Sequence, residues 1–139
     1  MKKNDRYVFP AILTYEDGYE IAVTFPDLPG CATSGATEKE AVLYAKEALG
    51  LHLWGMECDN DDIPAPSSVK ALKPTLEDNE CVILIDVFMP AVRTAQENKA
   101  VNRTVTLPAW LNARALESNV NFSLILQEAL KEKLQITRG

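Results

Sequence analysis

Histidine occurs once in this sequence, at His52, and cysteine three times, at Cys31, Cys58 and Cys81, with no two in a C-x-x-C spacing. A structural zinc site needs four thiolate or imidazole ligands at close, regular spacings, so none is expected here. An odd number of scattered thiols also argues against a disulfide framework and fits a reducing, cytoplasmic setting. Cys31 and Cys81 read as small apolar residues on strands. His52 has no nucleophile or carboxylate partner indicated by spacing, so no catalytic residues, metal or cofactor are expected. Long apolar runs are lacking too. None approaches the roughly 18 to 20 residues that span a bilayer, and no apolar stretch of signal-peptide type follows Met1-Lys2-Lys3-Asn4-Asp5-Arg6.

What is present is a globular composition, 47% apolar and 24% charged, enough to expect a folded core. The net charge of −6 is unevenly spread. Residues 1–98 hold 8 Lys and Arg against 17 Asp and Glu, a balance of −9, whereas residues 99–139 hold 6 against 3, a balance of +3. Such a division points to two partners of opposite sign. The acidic part repels nucleic acid and attracts a basic partner; the basic part suits phosphate.

Residues 6–15 read as a strand, with Tyr7, Phe9, Ala11 and Leu13 on one parity and Pro10 marking an edge or bulge. Asp17-Gly18 predicts a hairpin turn. Tyr19, Ile21, Val23 and Phe25 then alternate with polar or small residues, as in a half-buried strand. Pro26-Asp27-Leu28-Pro29-Gly30 enforces a tight loop, and Cys31 to Gly35 reads as a third strand. Thr37-Glu38-Lys39-Glu40 is a capping box, with Thr37 accepting from the Glu40 N–H and Glu40 reaching back to the Thr37 N–H. The helix it opens is predicted over about 38 to 54, with Ala41, Val42, Ala45, Leu49 and Leu53 facing inward and Gly55 as terminator. Residues 56–80 read as a loop. The run from Cys81 to Phe88 is so continuously apolar that burial on both faces is expected. Residues 91–100 are left as a linker, with at most a helical turn from Ala91 to Glu97.

The last forty residues differ in kind. A strand is predicted over 101–107, a helix from Ala109 to about Glu117 after Pro108, a turn at Ser118-Asn119-Val120, an N-cap at Asn121, and a second helix to Leu134. One strand and two helices are too few to bury Val105, Leu107, Trp110, Leu111, Ile125, Leu126 and Leu130 alone, since chains below about 40 residues usually need a staple or a partner. Two copies that pair their strands antiparallel and intertwine their helices would share that core. The resulting two-stranded ribbon fits the major groove of DNA. On this register Asn102, Thr104 and Thr106 face the bases. Lys99, Arg103 and the first-turn positions Asn121, Phe122 and Ser123 face phosphate. The plainer alternatives are that the Asn/Thr face is merely solvated, or that the module dimerises without binding DNA.

The sequence resembles the HicB family of type II antitoxins. The resemblance lies in Thr24-Phe25-Pro26-Asp27-Leu28-Pro29-Gly30-Cys31, in Gly35 to Ala41, in Ala45 to Leu49 and in Ile63 to Ser67. It returns in Thr104 to Leu111, Asn121-Phe122-Ser123 and Leu126 to Leu130. It implies an α+β fold: an N-terminal ββ-β-α-β domain like a partial RNase H fold over 1–90, and a β-α-α ribbon-helix-helix over 101–139. It implies a HicA-like toxin, small, basic and RNA-cleaving, as partner of the first, and operator DNA as partner of the second, which represses its own operon as a homodimer or a tetramer. A solitary regulator without a toxin is the alternative. An acidic cap complements a basic toxin, and Asp27, Glu38, Glu40, Asp59, Asp61 and Asp62 are candidates for its surface. An RNase H-like fold also raises nuclease chemistry, which needs clustered carboxylates holding metal; Asp86 is the one suggestive residue and no motif gives it a partner.

Overall fold

A computed structural model describes residues 4–136. The outermost ends of the two expected domains, residues 1–3 and 137–139, lie outside the described residues. The chain divides into two compact units, Met1–Lys99 and Ala100–Gly139.

The first unit is a four-stranded antiparallel sheet with order β3-β2-β1-β4. Its strands are β1 (Arg6–Thr14), β2 (Ile21–Thr24), β3 (Ala32–Gly35) and β4 (Glu80–Phe88). The long helix α1 (Glu38–Cys58) packs on one face, and α2 (Val69–Leu72) and α3 (Met89–Glu97) complete the unit. The alternation in β1 fixes which face is buried: Phe9, Ala11 and Leu13 join Val23, Phe25, Leu28, Ile85, Val87 and Met89 against Ala41, Ala45, Leu49 and Leu53 of α1. Truncating one of those leucines would cost about 2–5 kcal/mol. Pro10 is accommodated because β2 pairs only with Ile12 to Thr14, so β1 is an edge on that side at residue 10. Gly35 lets β3 run directly into α1: a Cβ there would lie 2.4 Å from the Ala41 backbone nitrogen.

Several details depart from the sequence reading. The capping box forms, but Glu40 accepts from the Ala36 N–H at 3.0 Å rather than from Thr37, while Thr37 accepts from Glu40 as expected. Gly55 does not end α1. The helix continues one turn to Cys58, since an α-helix interior tolerates one glycine at a cost of about 1 kcal/mol. Val42 and Tyr19 are exposed, Val42 on the outer side of α1 and Tyr19 in the turn before β2 begins. The stretch 56–80 contains the short helix α2. Burial of β4 on both faces is overturned. β4 is the sheet's outer strand, and only its odd-numbered Ile85 and Val87 are buried; Leu84, Asp86 and Phe88 are open and Cys81 is exposed. An apolar run alone does not tell a central strand from an edge strand with one face open to solvent. The helical turn expected from Ala91 to Glu97 is present, but as part of the packed helix α3 rather than of a linker: Val92 packs beside Gly50 of α1, 3.0 Å from where a Cβ would stand.

The second unit holds α4 (Ala109–Glu117) and α5 (Phe122–Leu134), with the boundaries expected. Asn121 caps α5 by accepting from the Leu124 N–H at 3.0 Å. Residues 101–107 form no strand in the single chain. A strand exists only by pairing, and among the described residues nothing pairs with this segment.

Candidate functional site

In the second unit no described residue is buried. Val105, Leu107, Trp110, Leu111, Ile125, Leu126 and Leu130, together with Leu116, Phe122, Leu124 and Leu134, are all exposed. So many exposed large apolar side chains with none buried are unusual for a lone unit and fit an association surface. Asn102, Thr104 and Thr106 alternate along the exposed segment before α4, with Arg103 among them. Lys99 falls at the end of the first unit instead. The Asn121 side chain is spent on the cap, while Phe122 and Ser123 occupy the first turn of α5, where helix geometry leaves N–H groups without an intrahelical acceptor.

In the first unit the acidic candidates separate into two kinds. Asp27, Glu38 and Glu40 are structural. Asp27 accepts from both the backbone N–H and the hydroxyl of Ser67, at 2.9 and 2.5 Å, clamping the proline loop to the segment after α1. Glu38 accepts from the Tyr15 hydroxyl at 2.7 Å, which together with burial pushes that phenol up to about 12. Asp59, Asp61 and Asp62 follow the end of α1, are exposed, and border a cleft of about 630 Å³ with Leu51, His52 and Met56. Asp61 and Asp62 also border a second cleft of about 570 Å³, whose walls include Tyr7, Glu57 and Ile63. His52 is therefore a half-exposed cleft residue. Its neighbours there are carboxylates and apolar groups, with no serine or cysteine nucleophile.

Asp86, the suggestive carboxylate, is held by Arg6 at 2.8 Å and Lys46 at 3.7 Å. No group of three metal-ligating side chains gathers among the described residues. Cys31 is buried, and burial pushes its thiol up to about 11, which keeps it protonated at neutral pH. Among the described residues no helix is long and apolar enough to cross a membrane.

Sequence reasoning missed a buried ion pair, the one of its kind among the described residues. Arg93 of α3 donates twice to Glu57 of α1, at 2.9 and 2.7 Å, and also reaches the Asn4 carbonyl at 2.6 Å and Asp5 at 3.3 Å. The hydrogen bonds to Glu57 raise the Arg93 pKa further, against the opposing effect of burial. Nothing in the spacing of residues 57 and 93 announces the pair. Reading residues 91–100 as a linker hid it.

An acidic sheet-and-helix unit and a helix pair without a core of its own define a small two-unit α+β protein whose open surfaces are those of a binding protein. A family model, the HicB-like antitoxin of bacterial toxin–antitoxin systems, matches residues 9–128. The chain belongs to this family and is a HicB-family antitoxin. An uncharacterised 14.9 kDa protein of the rep-hol intergenic region of Haemophilus phage HP1 (strain HP1c1) is 34% identical over 96 residues, 68% of each chain. Among solved structures, a toxin–antitoxin complex from Streptococcus pneumoniae aligns over 92% of this chain and 99% of the other, with 25% identity and a TM-score of 0.58. The antitoxin HicB of Burkholderia pseudomallei shares the fold over 92% of this chain and 98% of its own, with 24% identity and a TM-score of 0.57.

Proposed function

We propose that this antitoxin caps a HicA-like toxin with its first unit and represses its own operon with its second, acting as a dimer through residues 100–136 and as a tetramer when two dimers join. It acts by binding and carries out no catalysis. The observation that carries the reading is the second unit: exposed leucines, a tryptophan and a phenylalanine around no core, next to a polar Asn/Thr segment, in the positively charged part of the chain. A dimer removes all of that apolar surface from water at about 25 cal/mol per Å². It also gives the segment 101–107 the strand partner it lacks, forming a ribbon-helix-helix. Asn102, Thr104 and Thr106 then meet base edges, and Arg103, Lys99 and the first turn of α5 meet phosphates.

The toxin face is proposed at the two clefts around Asp59, Asp61 and Asp62, where carboxylates free of structural duty stand beside Leu51, Met56 and Ile63. An RNA-cleaving partner must present a basic surface to hold phosphate, and charge complementarity speeds the encounter. Support for such a partner comes from the solved relative described as a toxin–antitoxin complex.

Co-expression with the adjacent short reading frame encoding a basic protein tests the toxin half. Growth arrest by that protein alone, relieved by this chain, is expected; arrest that persists with a folded chain present overturns it. For the operator half, Asn102→Ala with Thr104→Ala should weaken specific binding by about 2 to 6 kcal/mol in total, since each lost base contact costs about 1 to 3 kcal/mol. Unchanged affinity and sequence preference in a binding titration would remove the ribbon assignment.

A further inference from the structure

We propose that Asp27 is a positioning residue of the toxin face: by clamping Ser67 it fastens the strap of residues 61–66 and so presents Asp61 and Asp62. The inference rests on the reading that places the toxin at the two clefts, and it names what gives those clefts their shape.

The strap is the wall that the clefts share, since Asp61, Asp62 and Pro64 border both. At its upstream end the Asp61 N–H donates to the Met56 carbonyl at 2.9 Å, on the last turn of α1. Among the described residues no hydrogen bond reaches 62–66, and the next one along the chain is at Ser67. Pro64 and Pro66 have no N–H to offer and fix φ at two positions, so the strap is stiff within itself. Ile63 packs against the core, half-buried. The strap is therefore held by its two ends and one side chain.

Asp27 is a firm anchor for the downstream end. Its loop is pinned by three backbone hydrogen bonds. The Leu28 N–H donates to Phe25 and the Cys31 N–H to Leu28, each at 3.0 Å, and the Phe25 N–H donates to Cys31 at 3.3 Å. Leu28, the next residue, is 1% exposed in the core. From this base one carboxylate oxygen of Asp27 accepts from the Ser67 N–H and the other from the Ser67 hydroxyl. Bonds to an ionised acceptor are roughly twice as strong as neutral ones. Directly beyond, Ser68 caps α2 by accepting from the Ala71 N–H at 3.1 Å, so the clamp sits where the strap gives way to regular structure. A loop fastened in its bound shape before the partner arrives spares the ordering cost of association. Without the clamp the strap opens locally while the sheet and α1 stay closed.

An endoproteinase that cuts before aspartate reads this in the full chain without toxin, at Asp61 and Asp62 in the strap and at Asp86 in β4. Asp27→Ala is expected to speed cleavage in the strap at least about tenfold and to leave Asp86 unchanged. Asp27→Asn keeps both bonds and stays close to the unaltered chain: its amide oxygen accepts from the Ser67 N–H, and its amide N–H donates to the Ser67 hydroxyl oxygen. Affinity for the basic protein of the adjacent reading frame should follow the same order, at least about tenfold weaker in Asp27→Ala and within about twofold in Asp27→Asn. A carboxylate that met the toxin directly would lose as much in Asp27→Asn as in Asp27→Ala, and that outcome overturns the positioning role. So does unchanged strap cleavage in Asp27→Ala, or an equal speeding at Asp86, which marks a general loss of stability. The double variant Asp61→Asn, Asp62→Asn separates the two readings. Unchanged toxin affinity there removes the cleft reading and this inference with it; affinity lost there but kept in Asp27→Ala removes this inference alone.

Discussion

Replacing Arg93 with methionine will destabilise the first unit by about 3–5 kcal/mol, the cost of removing one partner from a buried ion pair. The side chain of Glu57 is only 4% exposed and that of Arg93 20%, so the carboxylate has almost no water to fall back on once the guanidinium is gone. The two bonds between them, at 2.7 and 2.9 Å, form a bidentate fork, the strongest geometry a carboxylate and an arginine adopt. The same side chain also ties the start of the chain through the Asn4 carbonyl, so its loss loosens α3, α1 and the approach to β1 together. The contact with Asp5, whose side chain is 70% exposed, adds little, because solvent screens it. Urea unfolding of the full chain, followed by a probe of the sheet, measures the effect, and the midpoint temperature should fall by roughly 12 °C or more. The double variant Glu57→Met, Arg93→Met should recover most of the loss, since apolar residues of similar size often replace a buried pair without penalty. A loss below about 1 kcal/mol in the single variant would show that the pair is solvated and carries no more than a surface bridge does.

The contrast between that pair and the rest of the fold shows what a sequence displays and what it hides. Phe9, Ala11 and Leu13, and then Val23 and Phe25, could be assigned to the core because strand side chains alternate strictly and one face must be dry. Ala41, Ala45, Leu49 and Leu53 were legible through helical spacing, and Asn121 through the chemistry of caps. These are all local rules. Sheet order is not local. The run from Cys81 to Phe88 looked like a strand buried on both faces, yet it takes the outer position, because nothing within nine residues says which strand lies beside which. Glu57 and Arg93 are 36 residues apart and meet only because α3 folds back onto α1. Asp27 was legible as a loop residue through its prolines, while its bond to Ser67, forty positions along the chain, depended on the path between them. The Asn/Thr segment and the apolar residues of the second unit all stand exposed in the single chain, so their proposed roles as a reading face and a shared core rest on the pairing of two copies.

On the proposed ribbon-helix-helix, Leu107→Asp will abolish operator binding and strip the second unit of most of its helix signal. In the single chain Leu107 is already 38% exposed. If the unit were complete by itself, an exposed leucine replaced by aspartate would change stability by no more than about 0.5 kcal/mol. In the dimer proposed above, Leu107 enters the shared core from both copies, and the substitution carries two unpaired carboxylates into it at an effective cost of several kcal/mol each. Two copies held together by small helices have no reserve for that. Separated, α4 and α5 are 9 and 13 residues long, below or near the roughly 12–15 residues at which isolated helices become even marginal in water. Far-UV circular dichroism should therefore fall by the contribution of these two helices, and an operator fragment should no longer be retained. Thr106→Asp, one residue earlier and on the opposite parity, separates the core from the reading face. It leaves the dimer and its helix signal intact and still loses the operator, because its charge meets phosphate rather than leucine. Full helix content and near-normal operator affinity in Leu107→Asp would place Leu107 outside any shared core and return the register of the ribbon to question. Loss of helix content in both variants would mean that residues 106 and 107 are buried alike, which an alternating strand does not allow.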